Sequence, residues 1–434
     1  MPRPRPRNPH VIQVGIFDQI VSGGGVRLFT TELIKEFSRL SQNEWRFRLM
    51  WPLFDSSNNF LPRPKLKNVR FERINLDEET KNSRRIFSTL GELSESGGCL
   101  KTGARRLTQL KGYEEKLRIE EQRKLRAGDG RGLRWLDERA DEFDLIYLPY
   151  PYLTLPGAEK WRPKKPVVIT LHDLAHEHTD TWGDLTENLR REVRRWTEFA
   201  DLIIFSSDYI RAEALKIYGL PETRAKRIYL APAEPANINQ RSDLLERCGV
   251  SKRFVFTLGW AASHKRVETV IEGFALFKRK TGMDIALVVA GPNTESLPAG
   301  NIYGLELGRD LFALGYVAEK DIPGLYQHAE AVVTASVSEA GLNAMIFDAM
   351  TYGTPVMCSN IPQFVERLGS DDSLALTFNP LSPEALANSL AKHFENPARA
   401  QWRAKNAKIF INSRTVSDVG RDYLEAFRSV LRSH

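Results

Sequence analysis

Residues Leu311–Met357 read LFALGYVAEKDIPGLYQHAEAVVTASVSEAGLNAMIFDAMTYGTPVM. The pattern predicts a short strand, a helix, a buried strand, a polar turn at Glu339-Ala340-Gly341-Leu342-Asn343, and a second helix. The turn sets an acid, Glu339, beside the free backbone amides of Gly341, Leu342 and Asn343 at a helix start. A second acid, Asp348, follows about two helical turns later. Amides at a helix start bind anions, because the first N–H groups have no partner in the helix and the dipole is positive there. An acid further along can accept hydrogen bonds from sugar hydroxyls. Together they suit a phosphate-linked sugar.

The same alternation continues on both sides of this stretch. Strands are expected at Phe254–Leu258, Ile285–Ala290, Ala331–Thr334, Val356–Cys358 and Leu374–Phe378. Helices fit Val267–Lys280, Ile322–His328, Ala344–Thr351 and Pro383–Phe394, with Ser382 as cap and Pro383 at the first position. Earlier in the chain, residues 11–17 (VIQVGIF) read as a buried strand, followed by Ser22-Gly23-Gly24-Gly25. A helix follows, with Val26, Phe29, Leu33, Phe37 and Leu40 spaced three or four apart. Further strands are expected at Phe47–Trp51, Leu145–Leu148, Val167–Leu171 and Leu202–Phe205, and a helix at Leu185–Phe199.

Strand–helix alternation implies an α/β fold with parallel sheets and helices on both faces. The two halves meet near residues 231–252, where prolines and polar residues mark a linker. The expected division is 10–235, 236–415 and a closing helix in 416–434. Ligands of such sheets bind beyond the carboxyl ends of the strands, so two facing domains make a cleft. Residues 75–140 are dense in Arg, Lys and Glu and read as a helical insertion, either a solvated face, a cap over the acceptor site or a membrane contact.

The chain has 434 residues and 42% hydrophobic content, which suits two globular domains. No run approaches the ~18 apolar residues that span a bilayer. The start, MPRPRPRNPH, has no apolar core of a secretory signal. Cys99, Cys248 and Cys358 are widely spaced and give neither a metal pattern nor a disulfide framework, which points to a reducing cytoplasm. The net charge of +7, from 62 basic and 55 acidic residues, is mild. It fits a solvated surface, or attraction to nucleotide diphosphates or anionic headgroups, with a peripheral contact to the inner face of the membrane left open. No nucleic-acid-binding signature is present.

The 311–357 stretch resembles the carboxy-terminal half of a family-four retaining glycosyltransferase of the GT-B fold. The family pattern is Glu-x7-Glu, then Ala-Met and Gly-x-Pro-Val. Here Asp348-Ala349-Met350 and Gly353-Thr354-Pro355-Val356 match, while Glu339 to Asp348 is one residue longer. The resemblance covers most of residues 11–430 outside the insertion and is strongest at 254–380. It implies two Rossmann-like domains, a nucleoside-diphosphate sugar as donor and an acceptor hydroxyl on a glycan, a lipid-linked molecule or a small molecule. It also implies retained anomeric configuration and no obligatory metal or other cofactor. Glu339 would hold a hydroxyl of the donor sugar, and Asp348 the ribose hydroxyls.

Other motifs take their places from the same resemblance. Gly23-Gly24-Gly25 matches the amino-terminal glycine loop, where the backbone can approach a ligand closely. Gly259-Trp260-Ala261-Ala262-Ser263-His264-Lys265-Arg266 stands where the family has Gly-Arg, a spacer and Lys. Lys265 matches the Lys that neutralises the departing diphosphate. Trp260 occupies the Arg position, leaving Arg266 or His264 to supply that charge. His172, after VVITL, matches the cleft His that hydrogen-bonds the transferring sugar. His172, Asp173, His176 and His178 also have the residue types of a metal site, but they lie in one loop with no ligand elsewhere to complete it. Tyr316 and Val317 fall where backbone groups pair with the base. Trp135, Trp161, Trp182 and Trp196 are expected to pack rather than stack on sugar. A nucleotide-sugar epimerase would need an acid and a base around the sugar ring, and no pair stands out. A binding protein without transferase activity stays open, given the longer acid spacing and Trp260.

Overall fold

The computed structural model describes residues 11–17, 25–41, 43–52, 66–74, 138–151, 162–178, 184–233, 243–259, 263–291, 294, 301–318 and 320–434. Two parallel sheets organise them. The first comprises β1 (Ile12–Phe17), β2 (Trp45–Pro52), β3 (Val69–Ile74), β4 (Leu145–Leu148), β5 (Val167–Leu171), β6 (Leu202–Phe205) and β7 (Ala225–Arg227). Their order is β3-β2-β1-β4-β5-β6-β7. The second comprises β8 (Phe254–Leu258) and β9 (Ala286–Ala290), then β12 (Leu311–Ala313), β13 (Ala331–Thr334), β14 (Val356–Ser359) and β15 (Leu376–Phe378). Its order is β12-β9-β8-β13-β14-β15. A small antiparallel hairpin, β10 (Asn301–Ile302) and β11 (Leu305–Glu306), lies outside it.

The central strands are apolar throughout because both faces are covered. β5 (VVITL) and β9 (ALVVA) are buried at every position, the signature of a parallel sheet between helical layers. The helices Val267–Thr281 and Pro383–Glu395 pack together over one face of the second sheet, where Phe274, Phe277, Leu386 and Leu390 join a common core. The Val416–Ser433 helix packs on the first sheet, although it follows the second in sequence. Thr415 and Asp418 form a capping box at its start. Its Val419, Tyr423 and Phe427 share a core with Phe37, Trp45 and Phe47. The Tyr423 hydroxyl reaches Thr170 Oγ1 at 3.0 Å, and Thr170 Oγ1 lies 2.9 Å from the Tyr147 hydroxyl.

Strand order locates the crevices. In the first sheet the order reverses between β1 and β4, and in the second between β8 and β13. Loops leaving opposite faces at such a switch point splay apart and open a binding crevice. In the second sheet those loops carry Gly259–Lys265 and Ser336–Asn343.

The central strands fall where the sequence places them, but the edge strands β3 and β7 do not announce themselves. β3 reads VRFERI and β7 reads AKR. Edge strands carry charge that blocks pairing with another chain, and that charge hides them from hydrophobic patterning. The charged insertion falls almost wholly outside the described residues, as do Cys99, Trp135, Trp161 and Trp182. Trp196 is fully buried in the first core.

Candidate active site

The floor of the second-domain crevice is made of glycine. A Cβ on Gly291, whose φ is +128°, would lie 2.3 Å from the Gly259 carbonyl oxygen. Only glycine lets these two loops touch. Gly259 N–H donates to Ala290 O at 3.0 Å and Gly291 N–H to Gly315 O at 2.8 Å. Thr294 Oγ1, buried, accepts from Gly315 N at 3.1 Å and donates to Gly291 O at 2.8 Å. The ends of β8, β9 and β12 are thereby stitched into one side-chain-free surface.

Above it stand Lys265 and Glu339. Lys265 ends a short 3-10 turn after β8, and Arg266 follows with φ 49° before the Val267–Thr281 helix. Val337 N–H donates to His264 O at 2.9 Å, fastening the loop after β13 to the loop after β8. Lys265 Nζ meets Glu339 Oε1 at 2.5 Å, and Asn343 Nδ2 donates to the same oxygen at 2.9 Å. Asn343 also caps the Ala344–Tyr352 helix, its Oδ1 accepting from Ile346 N at 3.0 Å. Burial pushes the Glu339 carboxyl up, but Lys265, Asn343 and Ser336 together hold it below the ordinary Glu value. Glu339 is therefore an anion pinned at a helix start beside a cation.

The first domain contributes His172 and its neighbours. His172 follows β5 and is 2% exposed. Its Nδ1 lies 2.9 Å from Ser206 Oγ, and its Nε2 has no partner among the described residues. Phe29 meets the ring edge-on at 5.3 Å and Tyr150 stacks over it at 6.3 Å. Burial lowers its pKa to about 4, so the ring is neutral at physiological pH. Asp173, next in the chain, is raised by burial; the Ala175 amide pulls it back, and Glu339 and Lys265 act on it from the other domain with opposite signs. The two halves of the site thus lie within electrostatic reach of each other.

The turn after β6 joins the domains. A Cβ on Gly341 would sit 3.2 Å from the Ser206 carbonyl oxygen, so the donor-side turn rests on Ser206. Ser207 caps the Asp208–Tyr218 helix through Ile210 N at 3.2 Å. The next two amides, Asp208 N–H and Tyr209 N–H, donate to the two carboxylate oxygens of Glu366 at 2.8 Å each. Glu366 belongs to the second domain, so one domain's carboxylate completes the other's helix start. Beside it, Arg227 and Arg367 both lie over the Tyr229 ring, at 3.9 and 4.4 Å.

Some sequence candidates are not gathered here. Asp348 faces Tyr326 instead of the Lys265–Glu339 pair. Burial raises its carboxyl to about 7; the Tyr326 hydroxyl lies close enough to pull it down, though the pair does not reach good hydrogen-bond geometry. Tyr316 is 58% exposed, whereas Val317 is buried in the second core. Leu342 is buried beside Asn343. Gly25 opens the first helix, while Gly23, Gly24 and Trp260 lie outside the described residues. The three loop histidines turn to separate partners: His172 to Ser206, His176 Nε2 to the Tyr218 hydroxyl at 2.9 Å, and His178 to Glu213 at 3.0 Å.

The family model for glycosyl transferases group 1 matches residues 248–410, and that for Glycosyltransferase Family 4 matches residues 108–231. Together they cover well over half of the chain and both halves of the site. The chain belongs to the group 1 glycosyltransferases. Among curated relatives, O-antigen chain mannosyltransferase B of Escherichia coli is 23% identical over 254 residues, 54% of this chain and 62% of that protein. Mannosylfructose-phosphate synthase of Agrobacterium fabrum is 26% identical over 212 residues, 45% of each chain. The matched regions therefore span less than two thirds of these relatives. Among solved structures, Anabaena Alr3699/HepE in complex with UDP-glucose aligns with a TM-score of 0.67 at 19% identity, over 96% of this chain and 100% of that one. That likeness establishes the fold, a GT-B arrangement of two Rossmann-like domains.

Motif reading singled out Lys265, Glu339 and Asn343, which the structure brings into one cluster, and His172, whose neighbour Asp173 lies within electrostatic reach of that cluster. It missed Ser206, Ser336, Asp173 as a cleft acid, Thr294 and Glu366. Ser206-Ser207 after an apolar strand carries a helix-cap signature, which marks Ser207 but says nothing of Ser206. Glu366 had no local signal, since its partners lie over 150 residues away in the other domain.

Proposed function

We propose that this chain transfers a sugar from a nucleoside-diphosphate donor to an acceptor hydroxyl with retention of anomeric configuration. The observation that carries the reading is the Lys265–Glu339–Asn343 cluster at a helix start, across from a neutral buried His172. As the anomeric C–O bond to the diphosphate breaks, negative charge grows on the departing phosphate. Lys265 and the amides around Gly341–Asn343 stabilise that charge, with Arg266 as the second cation. The acceptor oxygen bonds to the anomeric carbon from the face the diphosphate leaves, and its proton passes to the diphosphate. Glu339 holds a donor-sugar hydroxyl, and His172 offers Nε2 to the sugar from the other domain. The side-chain-free floor at Gly259, Gly291 and Gly315 admits the nucleotide, and the backbone at Tyr316 and Val317 reads its base. The Gly23–Gly25 loop lies on the donor phosphates or beside the acceptor. The role of Asp348 toward the ribose rests on the family resemblance alone.

Local cations and amides supply the electrostatic stabilisation, so the reaction needs no obligatory metal. The division at 235/236 and 415/416 separates an acceptor domain, a donor domain and the closing helix. The named relatives make mannosyl and glucosyl donors the first to test. Among the described residues no helix is long and apolar enough to cross a membrane. We place the enzyme in the cytoplasm, with a glycan or lipid-linked acceptor reached at the inner face of the membrane.

A thermal-shift screen against UDP-, GDP-, ADP- and dTDP-sugars tests the donor class, since a bound ligand raises the melting point by mass action. Product analysis with the stabilising donor then tests transfer and anomeric outcome. No shift with any donor, and no donor hydrolysis, would overturn the reading.

A further inference from the structure

We propose that Ser206 is the positioning residue of this site: its hydroxyl fixes the His172 ring and its carbonyl seats the donor-side turn at Gly341. The inference rests on the transferase reading and adds a residue to it. Three observations converge on Ser206. Its Oγ lies 2.9 Å from His172 Nδ1. Its carbonyl oxygen lies where a Cβ on Gly341 would approach to 3.2 Å. It immediately precedes the Ser207–Tyr209 segment, which Glu366 of the other domain clasps through two amides.

An imidazole has two nitrogens, and the hydrogen bond at one decides what the other offers. Ser206 is 3% exposed, so no bulk water competes for Nδ1. Phe29 meets the ring edge-on and Tyr150 stacks over its face. The Ser206 hydroxyl distinguishes one ring orientation from its 180° flip, because Nδ1 can share a hydrogen bond with it and Cδ2 cannot. With Nδ1 engaged, Nε2 is the nitrogen left unpartnered and available to a ligand. A flipped ring would set Cδ2 against Ser206 Oγ, losing the hydrogen bond, and carry Nε2 to the former Cε1 position, about 1 Å away, a displacement of the size that costs about 100-fold when it occurs at a reacting centre.

The carbonyl matters as much as the hydroxyl. Glu339 and Asn343 flank Gly341 in one turn. Because Gly341 rests on the Ser206 carbonyl, the separation between His172 and Glu339 is set through one residue in contact with both loops. Ser206 touches neither sugar nor phosphate in this scheme; it acts through His172 and Gly341.

The test uses the full chain with Ser206→Ala and Ser206→Thr. The first readout is the pair of His172 ring-nitrogen resonances, assigned with His172→Gln. The wild type should show one dominant neutral tautomer, Ser206→Ala should move both resonances, and Ser206→Thr, which keeps the hydroxyl, should restore them. The second readout is kinetic. Ser206→Ala should lower kcat about 10- to 100-fold with donor KM changed less than about twofold, because the donor is held mainly by the other domain. Unchanged resonances in Ser206→Ala would overturn the Ser206–His172 link. Altered resonances with unchanged kcat would overturn the positioning role. Absence of transfer by the wild type, with the resonances coupled as expected, would instead sink the transferase reading on which the catalytic half depends.

Discussion

Replacing Asp348 by Asn should stabilise this enzyme, and more so as pH rises. Asp348 lies in the Ala344–Tyr352 helix with burial raising its carboxyl from the ordinary 3.8 to about 7. In the unfolded chain it ionises near the ordinary value. Between those two values the folded state binds more protons than the unfolded state, so stability falls as pH rises through the window. The gap of roughly 3 units corresponds to about 4 kcal/mol of destabilisation once pH exceeds the folded value. By the same relation the penalty is about 1.7 kcal/mol at pH 5 and about 4 kcal/mol at pH 8. Asn keeps the shape and the neutral amide and removes the titration. The advantage of Asp348→Asn should therefore grow by about 2.5 kcal/mol between pH 5 and pH 8. In a lobe of this size that corresponds to a widening of roughly 5–10 °C in melting temperature. Paired thermal or urea melts of wild type and variant across that range provide the assay. A difference that stays constant with pH would refute the raised carboxyl.

Other perturbations separate the parts of the site. Lys265→Ala and Glu339→Gln should each lower kcat at least ~100-fold, the usual cost of removing a preorganised electrostatic group; near-normal turnover by either variant in a transfer assay would remove that residue from the chemistry. Glu366→Gln should weaken the hold of the second domain on the Asp208 and Tyr209 amides, lowering the melting point and raising protease sensitivity of the interdomain turn, at a cost of about 1–3 kcal/mol for charged hydrogen bonds; an unchanged melting point would show the clasp to be energetically neutral. His172, His176 and His393 are all lowered by burial to about 4. In the unfolded chain they protonate near 6.5, so their contribution is full above that value and is lost as pH falls from about 6.5 toward 4; acid melts of the single Gln variants should be flatter than wild type in that window.

The central architecture was legible because burial writes itself into sequence. β5, β9 and β13 are apolar on both faces and bounded by turns, so their limits could be read nearly to the residue. Charge placement was legible where one turn carries it, as at Glu339–Asn343. What escaped depended on distant partners. β3 and β7 are edge strands whose charges imitate loops. Ser206 looks like any polar residue at a strand end until His172, from the neighbouring strand, and Gly341, from the other domain, are brought against it. Asp348 was legible as an acid on the helix, but the burial that raises its carboxyl was not, because it comes from elements packed around that helix.

The Lys265–Glu339 pair explains how such a site can be charged yet stable before any donor arrives. A buried cation or anion standing alone would be strongly destabilising, whereas the two at 2.5 Å compensate each other. Under the proposed mechanism a diphosphate is the stronger partner for Lys265, because it brings more negative charge than one carboxylate. Donor binding then exchanges one ion pair for another and releases Glu339 toward the sugar hydroxyls. Asn343 keeps Glu339 in place during that exchange, because its amide stays bonded to the carboxylate while its oxygen remains tied to the helix start. Under that mechanism the resting ion pair is a preassembled form of the reactive site: the cation for the leaving group and the anion for the sugar are already positioned, and the reorganisation left for the donor is small.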